Sequence, residues 1–199
     1  MERDRMEAFS DGVLAIIITI MVLNLHIPAG NTFKDFMTEM PKIGIYAMSF
    51  AYVGAYWNNH HHTLHTVTMV TGAILWANLL FLFFISLLPF AAAWFGQNLF
   101  DPVPTFVYGL VLFLTAISFF LLRFAIVRCD ECSHILREAM ENDRRGKFTG
   151  IIYIIALGLS FCAPRVAVAL HTMLLILWFI PDKNIEQAIY SADREKNGE

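Results

Sequence analysis

Two clusters of histidine and cysteine carry side chains that can bind metals. In the polar segment WNNHHHTLHT, residues 57–66, His61 and His65 lie four residues apart. On a helix this spacing places both imidazoles on one face, as zinc ligands can be placed. No carboxylate or cysteine accompanies them nearby in the chain. A metal site is therefore the alternative, and hydrogen bonding at the cytosolic end of paired helices is the favoured interpretation.

The second cluster is the segment CDECSH, residues 129–134. A structural zinc site takes four ligands, and a single Cys-x-x-Cys with one histidine falls short of that number. A charged amphipathic cytosolic helix over residues 128–144 explains the same composition. We predict neither a bound metal nor a cofactor.

A third polar group opens the apolar run RMEAFSDGVLAIIITIMVLNLHI, residues 5–27, and comprises Arg5, Phe9, Ser10 and Asp11. Ser10 could cap the start of a helix, with Asp11 favourably placed on the helix dipole. Alternatively, the preceding residues are already helical, because ERDRMEAF contains no helix breaker. Ser10 and Asp11 would then need partners on neighbouring helices at the cytosolic edge, since buried polar groups are costly when unpaired.

The run itself carries an aliphatic stripe. Ile16, Ile20, Leu23 and Ile27 follow the spacing of one helical face, and Thr19 borders them. Such a stripe ordinarily faces lipid or packs against another helix, with the threonine hydroxyl bonded back to its own helix. The alternative is a pore lined by rings of large aliphatic side chains, which close by excluding water, with one hydroxyl ring for the ion.

Composition identifies the elements that carry these residues as membrane spans. The 199 residues are 57% hydrophobic and 16% charged, and residues 43–100 contain no Asp, Glu, Lys or Arg. A span needs about 20 apolar residues. The sequence predicts six spans in an all-α membrane protein: residues 12–33 with a helix stop at IPAGN (27–31), 43–57 with a polar end at 58–66, 67–95, 105–122, 148–163 and 166–180. We treat residues 1–199 as one domain, with a cytosolic helical segment at about 128–147 between the fourth and fifth spans.

Charge distribution predicts the orientation. An even number of spans places both termini on one side, and eleven of the fourteen Lys and Arg residues fall on that side. The positive-inside rule therefore makes both termini cytosolic.

No residues with the spacing of a catalytic site stand out, so the sequence does not predict an enzyme. A TVGYG carbonyl filter is also absent from the sequence. An ion-coupled transporter usually has ionisable groups near the midplane, and His26 and His171 are few and peripheral. A membrane metal enzyme built on His60–His65 is a weaker alternative.

The spacing Arg5-x-x-x-Phe9-Ser10-Asp11, at the cytosolic start of a first span reading GVLAIIITIMVL, resembles the signature of the transmembrane protein 175 channels. The six-span plan is similar to that family over essentially the whole chain. The similarity to that family extends to a further group between the second and third spans, which consists of Trp57, Asn59, His60 and His61. With one signature and no internal repeat, the chain resembles a single-repeat bacterial member.

The resemblance implies a potassium-permeable leak channel, a homotetramer whose four first helices line the pore. It places the gate on Ile16, with further apolar rings at Ile20 and Leu23, and selectivity on Thr19. The signature residues would hold the first helix against its neighbours without binding the ion. Potassium ions and the lipid bilayer are the expected partners. Proton permeation through the same pore stays open as an alternative, because a hydrophobic constriction that becomes wet can also pass protons.

Overall fold

The computed structural model describes residues 3–67, 69–129 and 144–179, and all regular structure within these ranges is helical. There are seven helical segments: α1 (Arg3–Leu23), α2 (Phe33–His65), α3 (Gly72–Ser86), α4 (Leu88–Gln97), α5 (Pro102–Val127), α6 (Arg144–Cys162) and α7 (Pro164–Phe179). α3 and α4 together occupy the predicted third span, so the described part of the chain has helices at all six predicted spans. The CDECSH segment beyond Cys129, and most of the predicted charged helix, lie outside the described residues.

Three of these spans are long and apolar enough to cross a membrane, namely α1, α3 with α4, and α5. Shorter apolar helices occupy residues 148–162 and 164–178. The second span is not one of the three, because its uncharged apolar part, residues 43–57, is shorter than the roughly 20 residues that a span needs. The helix of this span starts earlier than predicted, at Phe33 instead of residue 43, and the polar segment predicted to end the span is helical as far as His65.

The first helix begins and ends earlier than its apolar run suggested. α1 starts at Arg3, so Ser10 lies inside the helix and does not cap it. The predicted stop at IPAGN, residues 27–31, comes after the actual end, because α1 stops at Leu23 and its last turn closes with a bond from the Asn24 N–H to the Met21 carbonyl. Pro28 disfavours helical backbone at the residue before it and keeps the following connection non-helical.

α2 begins at a capping box. The Thr32 hydroxyl accepts a hydrogen bond from the Asp35 N–H, and the Asp35 carboxylate accepts one from the Thr32 N–H. This reciprocal pair satisfies two of the N–H groups that a helix start leaves open.

The third span breaks near its middle. Leu87 ends α3 with its N–H bonded to the Phe84 carbonyl, and Pro89 occupies the first turn of α4. Proline has no N–H, so it cannot continue the ladder of α3, and a break at this position is the usual result.

The helices pack around one apolar core. α3 lies against α5 in the most extensive contact, and α5 also packs on α4 and α6. α1 lies against α2, α3 and α4, and α7 packs on α6, α2 and α5. α5 meets α7 tightly at Gly109, where an added Cβ would lie 2.5 Å from Nε2 of His171. Only glycine leaves room for the buried imidazole there.

Candidate functional site

α1 presents two different faces. Its buried residues follow helical spacing and consist of Met6, Ser10, Leu14, Ile17 and Met21. The opposite face is open, with exposed fractions of 59% at Ile16, 45% at Ile20 and 77% at Leu23. The stripe predicted as a candidate gate is therefore the face of α1 that the rest of the chain leaves uncovered.

Thr19 lies on the same open face. Its hydroxyl donates a 2.9 Å hydrogen bond to the carbonyl oxygen of Ala15, one turn earlier. The back-bonded threonine considered in the sequence is thus present. Because the hydroxyl proton points to the backbone, the oxygen lone pairs stay free on the exposed surface, where they can face a cation.

A chain of hydrogen bonds anchors the buried face of α1. The Ser10 hydroxyl donates to the Met6 carbonyl and accepts from Nδ2 of Asn78 at 2.9 Å. Oδ1 of Asn78 lies 2.8 Å from Nε2 of His60. Since an amide oxygen only accepts, His60 donates through Nε2, and this fixes its tautomer. Ser10, Asn78 and His60 are all buried, and the chain connects α1, α3 and α2.

Asp11 anchors the edge of α1. Its Oδ1 accepts a 2.9 Å hydrogen bond from the indole Nε1 of Trp57 on α2. A carboxylate acceptor makes this bond stronger than one between two neutral groups. The contact is partly open to solvent, because Trp57 is 46% exposed.

A second carboxylate of α1 lies one turn before Asp11. Oε1 of Glu7 is 2.8 Å from Nδ1 of His61 and 4.0 Å from Nε2 of His65. The rings of His61 and His65 meet edge to face, with centroids 4.4 Å apart. The polar end of α2 therefore faces α1 with two imidazoles, and the Glu7 carboxylate of α1 lies beside both.

The remaining predicted residues do not join this network. Arg5 and Phe9 are exposed, and Arg5 makes no hydrogen bond or ion pair with another residue in the part of the chain that the structure describes. Asn59 donates its amide to the Ala55 carbonyl of its own helix at 2.8 Å. The structure thus brings Ser10 and Asp11 together with His60 and Trp57, and leaves the other signature positions on the surface.

Two residues of the network were missed in the sequence. Asn78 is the one amide inside α3, within an uncharged apolar run, and buried polar groups in spans usually have a partner. Glu7 lies one helical turn before Asp11, which places both carboxylates on one side of α1. Asn78 could have been found from the sequence, as an amide in an apolar run. The pairing of Glu7 with the histidines could not, because it depends on how α1 and α2 cross.

Comparison with known proteins decides the family. The family model described as endosomal/lysosomal potassium channel TMEM175 matches residues 5–89. A protein of Chryseobacterium sp. (strain P1-3) named as a potassium channel is 43% identical over 189 residues, which are 95% of this chain and 98% of that protein. The chain belongs to the TMEM175 family.

The fold agrees with membership of the TMEM175 family. The crystal structure of a protein from Chamaesiphon minutus, described as a lysosomal potassium-selective channel TMEM175 homolog, superposes with a TM-score of 0.76 at 27% identity. The match covers 90% of this chain and 97% of that one. The predicted resemblance is confirmed, and so is the prediction that the chain is not an enzyme, since its TMEM175 relatives are named ion channels.

The human TMEM175 protein is a more distant relative. It is 33% identical over 103 residues, which are 46% of this chain and 20% of the human protein. It is named an endosomal/lysosomal proton channel. Relatives within the TMEM175 family thus carry the names of both potassium and proton channels.

Proposed function

We propose that this chain forms a homotetrameric, potassium-permeable leak channel in the bacterial plasma membrane, with both termini cytosolic and the pore lined by α1. The observation that carries the proposal is the open aliphatic face of α1, opposite the face that hydrogen bonds anchor to α2 and α3. The names of the bacterial relatives supply potassium as the permeant ion.

The open stripe has the chemistry of a hydrophobic gate. Ile16, Ile20 and Leu23 cover about 10 Å along the helix axis, at a rise of about 1.5 Å per residue. Four copies facing one axis would form stacked aliphatic rings that exclude water when narrow. Because no carbonyl filter precedes these rings, we expect low conductance and modest selectivity for potassium over sodium.

Thr19 is the one polar contact that this stripe offers a passing ion. Its proton is directed to the Ala15 carbonyl, so the oxygen faces outward as an acceptor. A ring of four such oxygens would partly replace the hydration shell of a cation. We assign selectivity to this ring.

The hydrogen-bonded face of α1 has a supporting role in the proposal. Ser10 and Asp11 hold the helix through Asn78 and Trp57, so the opposite face keeps a fixed direction. The exposed Arg5 and Phe9 lie on the uncovered side of α1, and in the tetramer we place them against a neighbouring subunit.

The proposal is tested by cation flux through the purified protein in liposomes under opposed potassium and sodium gradients. We expect a reversal potential displaced toward potassium, which Thr19→Ala abolishes and Thr19→Ser preserves, because serine keeps the hydroxyl. The oligomer is measured separately by native mass spectrometry. Absence of electrogenic flux in vesicles that contain folded protein would contradict the channel.

Proton conduction is a second candidate function, favoured by the name of the human relative. A wetted aliphatic constriction passes protons along a water chain without an ionisable side chain. A pH gradient across the same vesicles, with potassium and sodium at equal concentrations on both sides, separates the two. Electrogenic flux under that gradient alone would assign proton conduction.

A further inference from the structure

Three metal-ligating side chains from two helices meet beside the proposed pore helix. The ligand atoms of Glu7, His61 and His65 all lie within 4.8 Å of one another. Among the described residues, no other group of three or more His, Cys, Asp or Glu side chains has its ligand atoms this close together. The sequence argued against a metal because no carboxylate lies near the histidines in the chain. The crossing of α1 and α2 supplies that carboxylate.

The geometry is close to what a tetrahedral metal needs. With bonds of about 2.0–2.1 Å to each ligand, neighbouring ligand atoms lie about 3.3 Å apart. The distances from Glu7 Oε1 to the two imidazole nitrogens, 2.8 and 4.0 Å, fall on either side of this value. Small side-chain rotations would equalise them. The shorter distance is a hydrogen bond, so a metal ion would replace the proton that His61 and Glu7 now share.

The ligand set selects a class of metal. Two imidazoles and one carboxylate suit zinc and neighbouring first-row divalent ions, whereas magnesium and calcium prefer oxygen ligands throughout. The His61 and His65 side chains are 41% and 44% exposed, so an ion can enter from solvent and water can take the fourth position. The Trp57 ring stacks on His61 with centroids 6.2 Å apart and restricts the orientation of the imidazole.

We propose that Glu7, His61 and His65 bind one divalent transition-metal ion of the zinc class, which links the first turns of α1 to the last turns of α2. The binding site is distinct from the proposed pore, since it lies on the interface between the two helices and uses none of the residues assigned to the pore. A bound ion stabilises the helix pair because it contacts both members only when they are packed together.

The test uses the full-length protein in detergent, treated with a chelator and then titrated with zinc chloride by calorimetry. We expect one ion per chain and a rise in the thermal unfolding midpoint. Glu7→Gln and His65→Ala should each lower the affinity roughly tenfold or more, since even outer-shell changes cost that much at metal sites. His26→Ala is the matched control, because His26 is an exposed histidine outside the cluster, and it should keep the wild-type affinity.

A rescue variant separates loss of a ligand from loss of folding. His65→Cys exchanges one zinc ligand for another, so it should bind zinc more tightly than His65→Ala does. Magnesium chloride should give no binding at the same concentrations. Zinc affinity that is unchanged in Glu7→Gln and His65→Ala, or no stoichiometric binding to folded wild-type protein, would overturn the proposal. Neither outcome bears on the flux measurement, so the metal site and the channel fail or hold separately.

Discussion

The indole of Trp57 on α2 donates a 2.9 Å hydrogen bond to the carboxylate of Asp11 on α1, across 46 residues of sequence. This contact joins the family signature to the polar end of the second span. It lies at the edge of the helix pair, whereas the Ser10–Asn78–His60 chain lies in the interior. α1 is thus held at its edge by a bond to a carboxylate and in the interior by a chain of buried hydrogen bonds.

Removing the indole N–H tests the outer bond. Trp57→Phe keeps the ring and loses the donor, and we expect a cost of roughly 1 kcal/mol in stability. Asp11→Ala loses the acceptor and should mainly reduce the yield of tetramer, measured by native mass spectrometry. Trp76→Phe is the matched control, because Trp76 is 76% exposed and should tolerate the change. Normal tetramer yield with altered selectivity in Asp11→Ala would contradict a supporting role for Asp11.

Asn78→Leu tests the inner chain. The substitution preserves size and removes both bonds of the amide, which leaves the buried His60 and Ser10 without their shared partner. We expect a loss of about 1–3 kcal/mol, seen as a lower thermal midpoint in detergent. Ser86→Ala on the same helix removes an exposed hydroxyl bonded to the Phe83 carbonyl and should have little effect. Equal midpoints for Asn78→Leu and wild type would show that the chain contributes nothing to stability.

Ile16→Asn tests the gate. An amide at this position would hydrate the proposed constriction, so we expect cation leak through liposomes to rise severalfold. Ile117→Asn provides the control, because Ile117 is also exposed but lies on α5, away from the proposed pore. Unchanged or lower flux in a folded Ile16→Asn tetramer would count against Ile16 as the gate.

The capping box of α2 gives a prediction about protonation. Hydrogen bonds from the Thr32 side chain and then from its backbone N–H hold the pKa of the Asp35 carboxyl below its ordinary value of 3.8. Because the folded-state pKa is the lower one, the stabilisation is present above about pH 4 and is lost as the pH falls through the folded pKa.

Thr32→Ala removes the hydrogen bond from the Thr32 side chain, which is the larger cause, and should raise the pKa of Asp35 toward 3.8. Carboxyl carbon chemical shifts, followed by NMR from pH 6 to 2, measure it directly. In Thr38→Ala the pKa should stay low, because the Thr38 hydroxyl donates to the backbone carbonyl of Asp35 and not to its carboxylate. An equal displacement in both variants would mean that the hydrogen bonds from Thr32 are not the cause.

The sequence predicted the succession of helices, because an uncharged apolar run marks each predicted span. It predicted their ends less well, since the ends depend on local bonds that hydropathy does not contain. The uncharged run of the third span continues through Pro89, where the helix breaks, and the polar segment after Trp57 stays helical. A hydropathy profile therefore predicts one continuous helix where the third span breaks, and it predicts an end where α2 continues.

The residues of the candidate site were also only partly predictable from the sequence. Helical periodicity was enough to put Ile16, Ile20 and Leu23 on one face and to require partners for Ser10 and Asp11. It could not identify those partners, because the partners come from other helices. Asn78 was readable as a buried amide in an apolar span. Glu7 was not, since its distance from His61 is set by the packing of α1 on α2.

The 33-residue length of α2 has a mechanical consequence. At about 1.5 Å per residue the helix is about 50 Å long, whereas the hydrocarbon layer is about 30 Å thick. The uncharged apolar part, residues 43–57, is about 22 Å long and so is shorter than this layer, and the excess length of α2 therefore consists of polar ends. One of these ends carries Trp57 and His61, which bond Asp11 and Glu7 of α1. We therefore expect a displacement of this end of α2 to be passed to α1 directly, outside the hydrocarbon layer.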